Sequence, residues 1–383
     1  MTTGVRDEIR LGRSAPLDTL RTVLVAWIIG GHALLGYSSI GGWAYDEVSE
    51  VTLQPAVELV LAGLLGPTAL FLMGTFFLIA GLFTPPSLQR KGYRRFVEER
   101  CLRLGLPFLA SALVIWPMTM WVAYRSSGRS VSYGFLLTGR DRLVDSGGLW
   151  FAEVLLLFSL GYVALAAVHR PRPHRGRSPF TVARMLGAAA MVTGCTFVVR
   201  LVFSARGAQY LDLHIWQWPQ LLGMFCLGVL GARHGLAHEV PRRLVRASGW
   251  ITLGCAVAGP LYAVVAGVDN LAGDSGPYLG GLRVEALLLA AYEGVLVVFG
   301  SLWLLGFAQR RLSADHPAWH RLRRSSFAAF VLQGPVLIML AVALRPIGLP
   351  AEPKALVVLA GGLFGCFTLG WLLVTRTRVG RIV

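Results

Sequence analysis

Charge is scarce in this chain: Asp, Glu, Lys and Arg make up 15% of its 383 residues, against roughly a quarter in a soluble domain. Acidic residues are the scarcer, 20 against 36 basic ones. The longest hydrophilic segments run to about 25 residues, so no soluble domain is expected at either end. The five cysteines (Cys101, Cys195, Cys226, Cys255, Cys366) lie in apolar stretches without CxxC spacing or clustered His partners. They read as packing residues rather than disulfides or metal ligands. There is no Gly-rich nucleotide loop, which leaves an ATP-driven step without support, and no HExxH. His234 and His238 are four apart but stand beside Pro241, and His316 and His320 lie in a basic loop. No metal is expected. His169 and His174 sit in HRPRPHRGRSP, a composition that suits an extended linker.

Apolar residues, by contrast, are abundant, at 55%. Stretches near the roughly 20 residues that span a bilayer as a helix recur along the whole chain. The expected fold is all-α: a polytopic transmembrane bundle of about ten spans, at 17–36, 61–83, 102–122, 148–168, 181–203, 217–233, 247–267, 282–307, 326–344 and 355–374. Alternate loops are basic. Arg6 to Arg13, Arg90 to Arg100, Arg170 to Arg177, Arg233 to Arg246, Arg310 to Arg324 and Arg376 to Arg381 hold 24 Lys and Arg, and the opposite loops seven. Because basic residues stay on the cytoplasmic side, both termini are expected there. The net charge of +16 then reads as orientation and contact with anionic membrane lipids, not nucleic-acid binding. A cleaved leader is not expected, since Asp18 and Arg21 open the first stretch and no small-residue cleavage site follows it. The chain divides into a tail at 1–16, one membrane domain at 17–374 and a tail at 375–383.

Ionisable residues inside spans are costly and need a reason. The first span, LDTLRTVLVAWIIGGHALLGY, holds Asp18 and Arg21 at its cytoplasmic end and His32 eleven positions on. Eleven residues make about three helical turns, so Arg21 and His32 share a face roughly 16 Å apart along the axis. Asp18 is one turn from Arg21 and can hold it. Gly30 and Gly31 permit close approach of a backbone or a substrate. Two readings stand: a ligand track across the membrane, or a snorkelling Arg and a His satisfied by a neighbouring helix.

An Arg and a His separated by ten residues, the Arg closing LDTLR (Leu17 to Arg21), resemble the hallmark of the acyltransferase 3 family of membrane-bound O-acyltransferases. Other segments are similar to that family's pattern. FFLIAGLF (Phe76 to Phe83) precedes the basic inner loop, Arg100, Arg103 and Pro107 fall in ERCLRLGLP, and Leu149, Trp150 and Phe151 open a later span. SSFAAFVLQGPVLIM (Ser325 to Met339) has the shape of the family's penultimate span. It departs from the pattern in carrying Gln333 at the usual His and Phe327 and Phe330 at the usual tyrosines, which weakens the case for a polar relay on this helix.

The resemblance implies a multi-pass enzyme of the cell membrane, in a bacterium the inner membrane. It would move an acyl group, acetyl or succinyl foremost, from cytoplasmic acyl-coenzyme A to a hydroxyl of a carbohydrate or glycosylated acceptor. No permanently bound cofactor is implied. Arginines suit the donor's phosphates, which they bind by bidentate charged hydrogen bonds: Arg21 steadied by Asp18, with Arg100 and Arg103, on the donor side. Trp150 falls on the substrate-binding side. His32 is the candidate general base, and Glu153, at a matching depth, the candidate partner that would stabilise its imidazolium. A structural ion pair of Glu153 with Arg200 is the alternative. Glu285 and Glu293 lie in the eighth span without motif support. Trp216 and Trp218 in HIWQWPQ suit an aromatic belt, or stacking on a sugar, and GGLFG (Gly361 to Gly365) suits close helix packing. Two rival classes remain open: a transporter or exporter of a small solute or glycolipid, relaying protons through His32, Glu153 and Glu293, and an inactive scaffold.

Overall fold

The computed structural model describes residues 15–139, 144–168, 180–207, 210–265, 275–312, 317–377 and 380. Among them ten long helices follow one another: α1 Ala15–Leu35, α2 Pro55–Lys91, α3 Tyr93–Ser126, α4 Trp150–Val168, α5 Val182–Arg200, α6 Trp218–Arg233, α7 Arg242–Val265, α8 Val284–Arg311, α9 Pro317–Leu344 and α10 Ala351–Arg376. Each coincides with an expected span, and several run past it. Among the described residues nine are long and apolar enough to cross a membrane. The exception is α6, whose 16 residues reach about 24 Å, short of a hydrocarbon core of roughly 30 Å. The chain is a polytopic helical membrane protein.

Lipid offers apolar helices no hydrophobic drive to associate, so close packing has to hold the bundle. The tightest crossing joins α2 to α6. A Cβ on Gly81 would lie 2.2 Å from the Phe225 carbonyl oxygen, and one on Gly228 2.2 Å from that of Leu78. Similarly, Gly362 of the GGLFG segment accepts Leu337 of α9 where a Cβ would sit 2.3 Å away. At the centre is α1, in contact with α2, α8, α9 and α10, and its Leu17, Leu20, Ile28 and Ile29 are buried. Outward-facing apolar side chains such as Leu113, Val198, Val257 and Phe364 supply the surface that lipid requires. Cys101, Cys195 and Cys226 are also exposed, so these three face outward instead of packing inside. All five cysteines are free thiols.

Proline shapes α3. The Leu106 N–H donates to the Cys101 carbonyl and the Trp116 N–H to that of Ser111, which makes two wide turns just ahead of Pro107 and Pro117. A proline ring cannot donate and clashes with the preceding turn. A widened turn relieves the clash without breaking the helix. At the opposite end of α1 the segment 36–54 folds back over the bundle. It is held by the Leu53 N–H on the Tyr37 carbonyl at 2.8 Å and by Glu50, which accepts from Lys354 Nζ at 2.6 Å and from Tyr45 Oη at 2.8 Å.

Candidate functional site

Two polar clusters lie at opposite ends of α1. At its start, Arg21 pairs with Asp18 at 3.2 Å and lies over the Phe83 ring, 5.0 Å from its centre. Arg100 of α3 approaches the same place. Its guanidinium reaches Thr84 Oγ1 at 3.4 Å, covers Phe96 at 5.1 Å, and is close enough to Arg21 and Arg103 for their charges to repel. Arg100 thus stands between two further guanidiniums, Arg21 paired to Asp18 and Arg103 near Glu99, and the repulsion that remains is one a polyanion relieves. Arg94 and Arg95 differ, being paired to Glu98 and Glu99 one turn on. Arg103 itself is exposed.

At the other end His32 is held on two sides. Its Nδ1 lies 3.1 Å from Gln333 Oε1, and its ring stacks on Trp43 with centroids 4.1 Å apart and planes 14° off parallel. Trp43 packs in turn on Trp116, at 5.7 Å. With the amide oxygen as acceptor, the imidazole proton resides on Nδ1 and Nε2 carries the lone pair. Gln333 is 1% exposed and its Nε2 has no partner. That amide is pressed towards Gly148, where a Cβ would lie 2.9 Å away.

Glu153 makes no hydrogen bond to His32. Its Oε2 is buried without a partner, and its electrostatic neighbour is Asp212. The alternative pairing with Arg200 does not form either. Arg200 takes Glu293 of α8 at 2.6 Å, Glu293 also accepts from Gln220 Nε2 at 2.7 Å, and Trp216 covers the guanidinium at 5.1 Å. A charge buried this deeply is tolerated only when paired, and Glu293 reaches Arg200 from the facing helix. The tryptophans of HIWQWPQ thus turn into the protein. Besides Trp216 on Arg200, Trp218 donates to the Leu213 carbonyl at 2.7 Å. Trp150 stacks near His214, at 4.3 Å. Among the expected site residues, then, Asp18, Arg21, Arg100 and Arg103 gather at one end. His32, Glu153 and Trp150 stand at the other, Trp150 against a different histidine and Glu153 near Asp212. His169, His174 and His316 lie outside the described residues.

Four residues at these sites escaped the sequence in their roles: Gln333 as the partner of His32, Trp43 as its stacking platform, and Asp212 and His214 as a pair. Gln333 offered a signal, since a polar side chain within a span needs a partner; Trp43, in a short loop, offered none.

A model of the acyltransferase domain of the acyltransferase 3 family matches residues 15–375. A ten-helix membrane bundle matched over nearly its whole length is a membrane acyltransferase, and the chain belongs to the acyltransferase 3 family. No curated protein and no solved structure matches it.

Proposed function

We propose that this acyltransferase takes its acyl group from cytoplasmic acyl-coenzyme A, acetyl or succinyl foremost, and passes it to a hydroxyl of a carbohydrate or glycosylated acceptor, in a bacterium at the inner membrane. The observation that carries the reading is the placement of His32 and Arg21 on one central helix, each at the focus of its own cluster. Arg21, Arg100 and Arg103, with Asp18 steadying the first, are the donor-binding residues. Their converging positive charge suits the phosphates of coenzyme A.

His32 is the general base. Its Nε2 removes the proton from the acceptor hydroxyl as that oxygen bonds to the thioester carbonyl carbon. The carbon–sulfur bond then breaks, and the departing thiolate takes the proton from the imidazolium. Gln333 fixes the tautomer that keeps Nε2 basic. It is neutral, so it orients the ring without the charge stabilisation that a carboxylate gives.

The test is incubation of purified protein with acetyl- and succinyl-coenzyme A, following free thiol with and without simple sugars. Acceptor-stimulated thiol release is expected, abolished in His32→Ala while the variant stays in the membrane. Arg21→Ala is expected chiefly to weaken donor use. Solute flux without thiol release from either donor would instead favour the carrier reading, for which the buried Arg200–Glu293 pair is the observation to pursue.

A further inference from the structure

The segment between α5 and α6 holds a histidine–carboxylate pair at the His32 end of the bundle. His214 Nε2 lies 3.2 Å from Asp212 Oδ1. Asp212 is fully buried, and its other oxygen accepts from both the backbone N–H, at 2.9 Å, and the hydroxyl of Ser146. The backbone is left-handed at Leu211, Asp212 and His214, with φ of 50°, 61° and 48°, a conformation that side-chain-bearing residues adopt rarely and at a cost. Two observations are not accounted for by loop-holding alone. The Trp150 and His214 rings, 4.3 Å apart, are not fully buried, His214 keeping 15% of its side chain exposed, so an edge of the pair reaches the surface. Next to them, Glu153 Oε2 is buried with no donor, although buried carboxylate oxygens are normally satisfied.

We propose that Trp150, His214 and Glu153 form the acceptor subsite, that Asp212 is its positioning residue, and that the ligand is a neutral polyhydroxylated ring. Both oxygens of Asp212 are already engaged, so it acts by holding His214 and Ser146. Glu153 retains the free acceptor capacity, and a sugar hydroxyl supplies the missing donor. The Trp150–His214 pair supplies the apolar platform on which the C–H face of a sugar ring rests. Chain continuity links the subsite to the base: Ser146 is bound to Asp212, Gly148 abuts Gln333, and Gln333 holds His32. A ligand seated on Trp150 therefore lies beside the residues that orient the imidazole. The role in transfer rests on the function proposed above; the binding does not.

The experiment is ligand-observed saturation-transfer NMR on the full chain in nanodiscs, with methyl glucoside, galactoside, mannoside and rhamnoside as probes and no acyl donor. Saturable contact with at least one glycoside is expected, with its dissociation constant raised about tenfold or more by Glu153→Gln or Trp150→Leu, the size of one lost charged hydrogen bond or stacked face. Asp212→Asn is expected to weaken binding too. Because that variant can disturb the loop, the decision rests on the two α4 variants, both checked for monodispersity. Absence of saturable binding with every glycoside overturns the proposal, as does binding unchanged in both α4 variants. Glycoside binding in a protein that releases no thiol leaves the subsite standing and removes the transfer reading. Transfer whose acceptor KM ignores Glu153 and Trp150 removes the subsite and leaves that reading.

Discussion

His32 Nδ1 and Gln333 Oε1 stand 3.1 Å apart, although 301 residues separate them in the chain. The contact joins the central helix α1 to α9 and makes the imidazole's orientation depend on a neutral amide. Replacing Gln333 with Ala is expected to lower kcat about tenfold to a hundredfold, within the range general-base catalysis contributes, with little change in donor KM. Gln333→Glu keeps an oxygen acceptor and is expected to retain most activity. Initial rates of thiol release over a range of donor and acceptor concentrations decide it. An unchanged kcat in Gln333→Ala would show that Trp43 alone aligns the ring.

Arg100 is expected to matter more for donor use than Arg94 and Arg95, about one and a half turns before it. Arg94 and Arg95 are already paired and largely exposed, while Arg100 faces Arg21. Arg100→Ala should raise the donor KM about tenfold, the loss of one strong ionic contact. Arg94→Ala should leave it within about twofold, since exposed pairs contribute little. Titration of both variants with acetyl-coenzyme A separates the two; equal effects would reduce the cluster to a general positive surface.

The Glu50 latch predicts a pH dependence of stability. Burial alone would raise the Glu50 carboxyl, but the hydrogen bonds from Lys354 and Tyr45 outweigh it and hold the group below its ordinary value. A carboxyl depressed in the folded state contributes stability above its unfolded pKa, and that contribution is lost as pH falls through the lower folded value. Unfolding temperatures should therefore fall below about pH 4, and less steeply in Glu50→Gln. That variant should also be less stable at neutral pH, because Lys354, 1% exposed, would lose its counter-charge. Parallel pH profiles for the two proteins would count against the latch.

Arg200 and Glu293 form a buried pair, and removing one member should hurt more than removing both. Glu293→Ala is expected to cost about 3–5 kcal/mol by stranding the guanidinium, whereas Arg200→Met with Glu293→Leu should recover most of the loss. Thermal unfolding in detergent tests this as a double-variant cycle. A double variant worse than either single one would show that the pair does more than neutralise itself.

The fold was legible because membrane spanning writes itself into composition. Each of the ten helices needed an apolar run, and Arg90 to Arg100 or Arg310 to Arg324 marked where runs ended. The Arg21–His32 spacing was readable for the same reason, since a regular helix turns sequence distance into a face. Partners across the bundle were not readable. Glu153 and Gln333 are both polar and both near His32 in depth, and only the packing of α9 against α1 puts the amide rather than the acid on the ring. Likewise Glu293 takes Arg200 because α8 lies against α5, a neighbour relation that no local periodicity encodes.

The two wide turns of α3 have a rotational consequence. At 100° per residue, the 16 steps from Arg100 to Trp116 would place them about 160° apart on a regular helix. Absorbing one surplus residue in each wide turn leaves an effective 14 steps, about 40°. One helix can thereby offer Arg100 towards Arg21 and Trp116 towards Trp43, addressing both ends of α1 from a single side. Deleting the surplus residue of either turn would let that turn close to a regular one and keep the roughly 14 effective steps, whereas adding a residue elsewhere between Arg100 and Trp116 would swing everything beyond it by about 100°, so the residue count between these two side chains sets which of them faces α1.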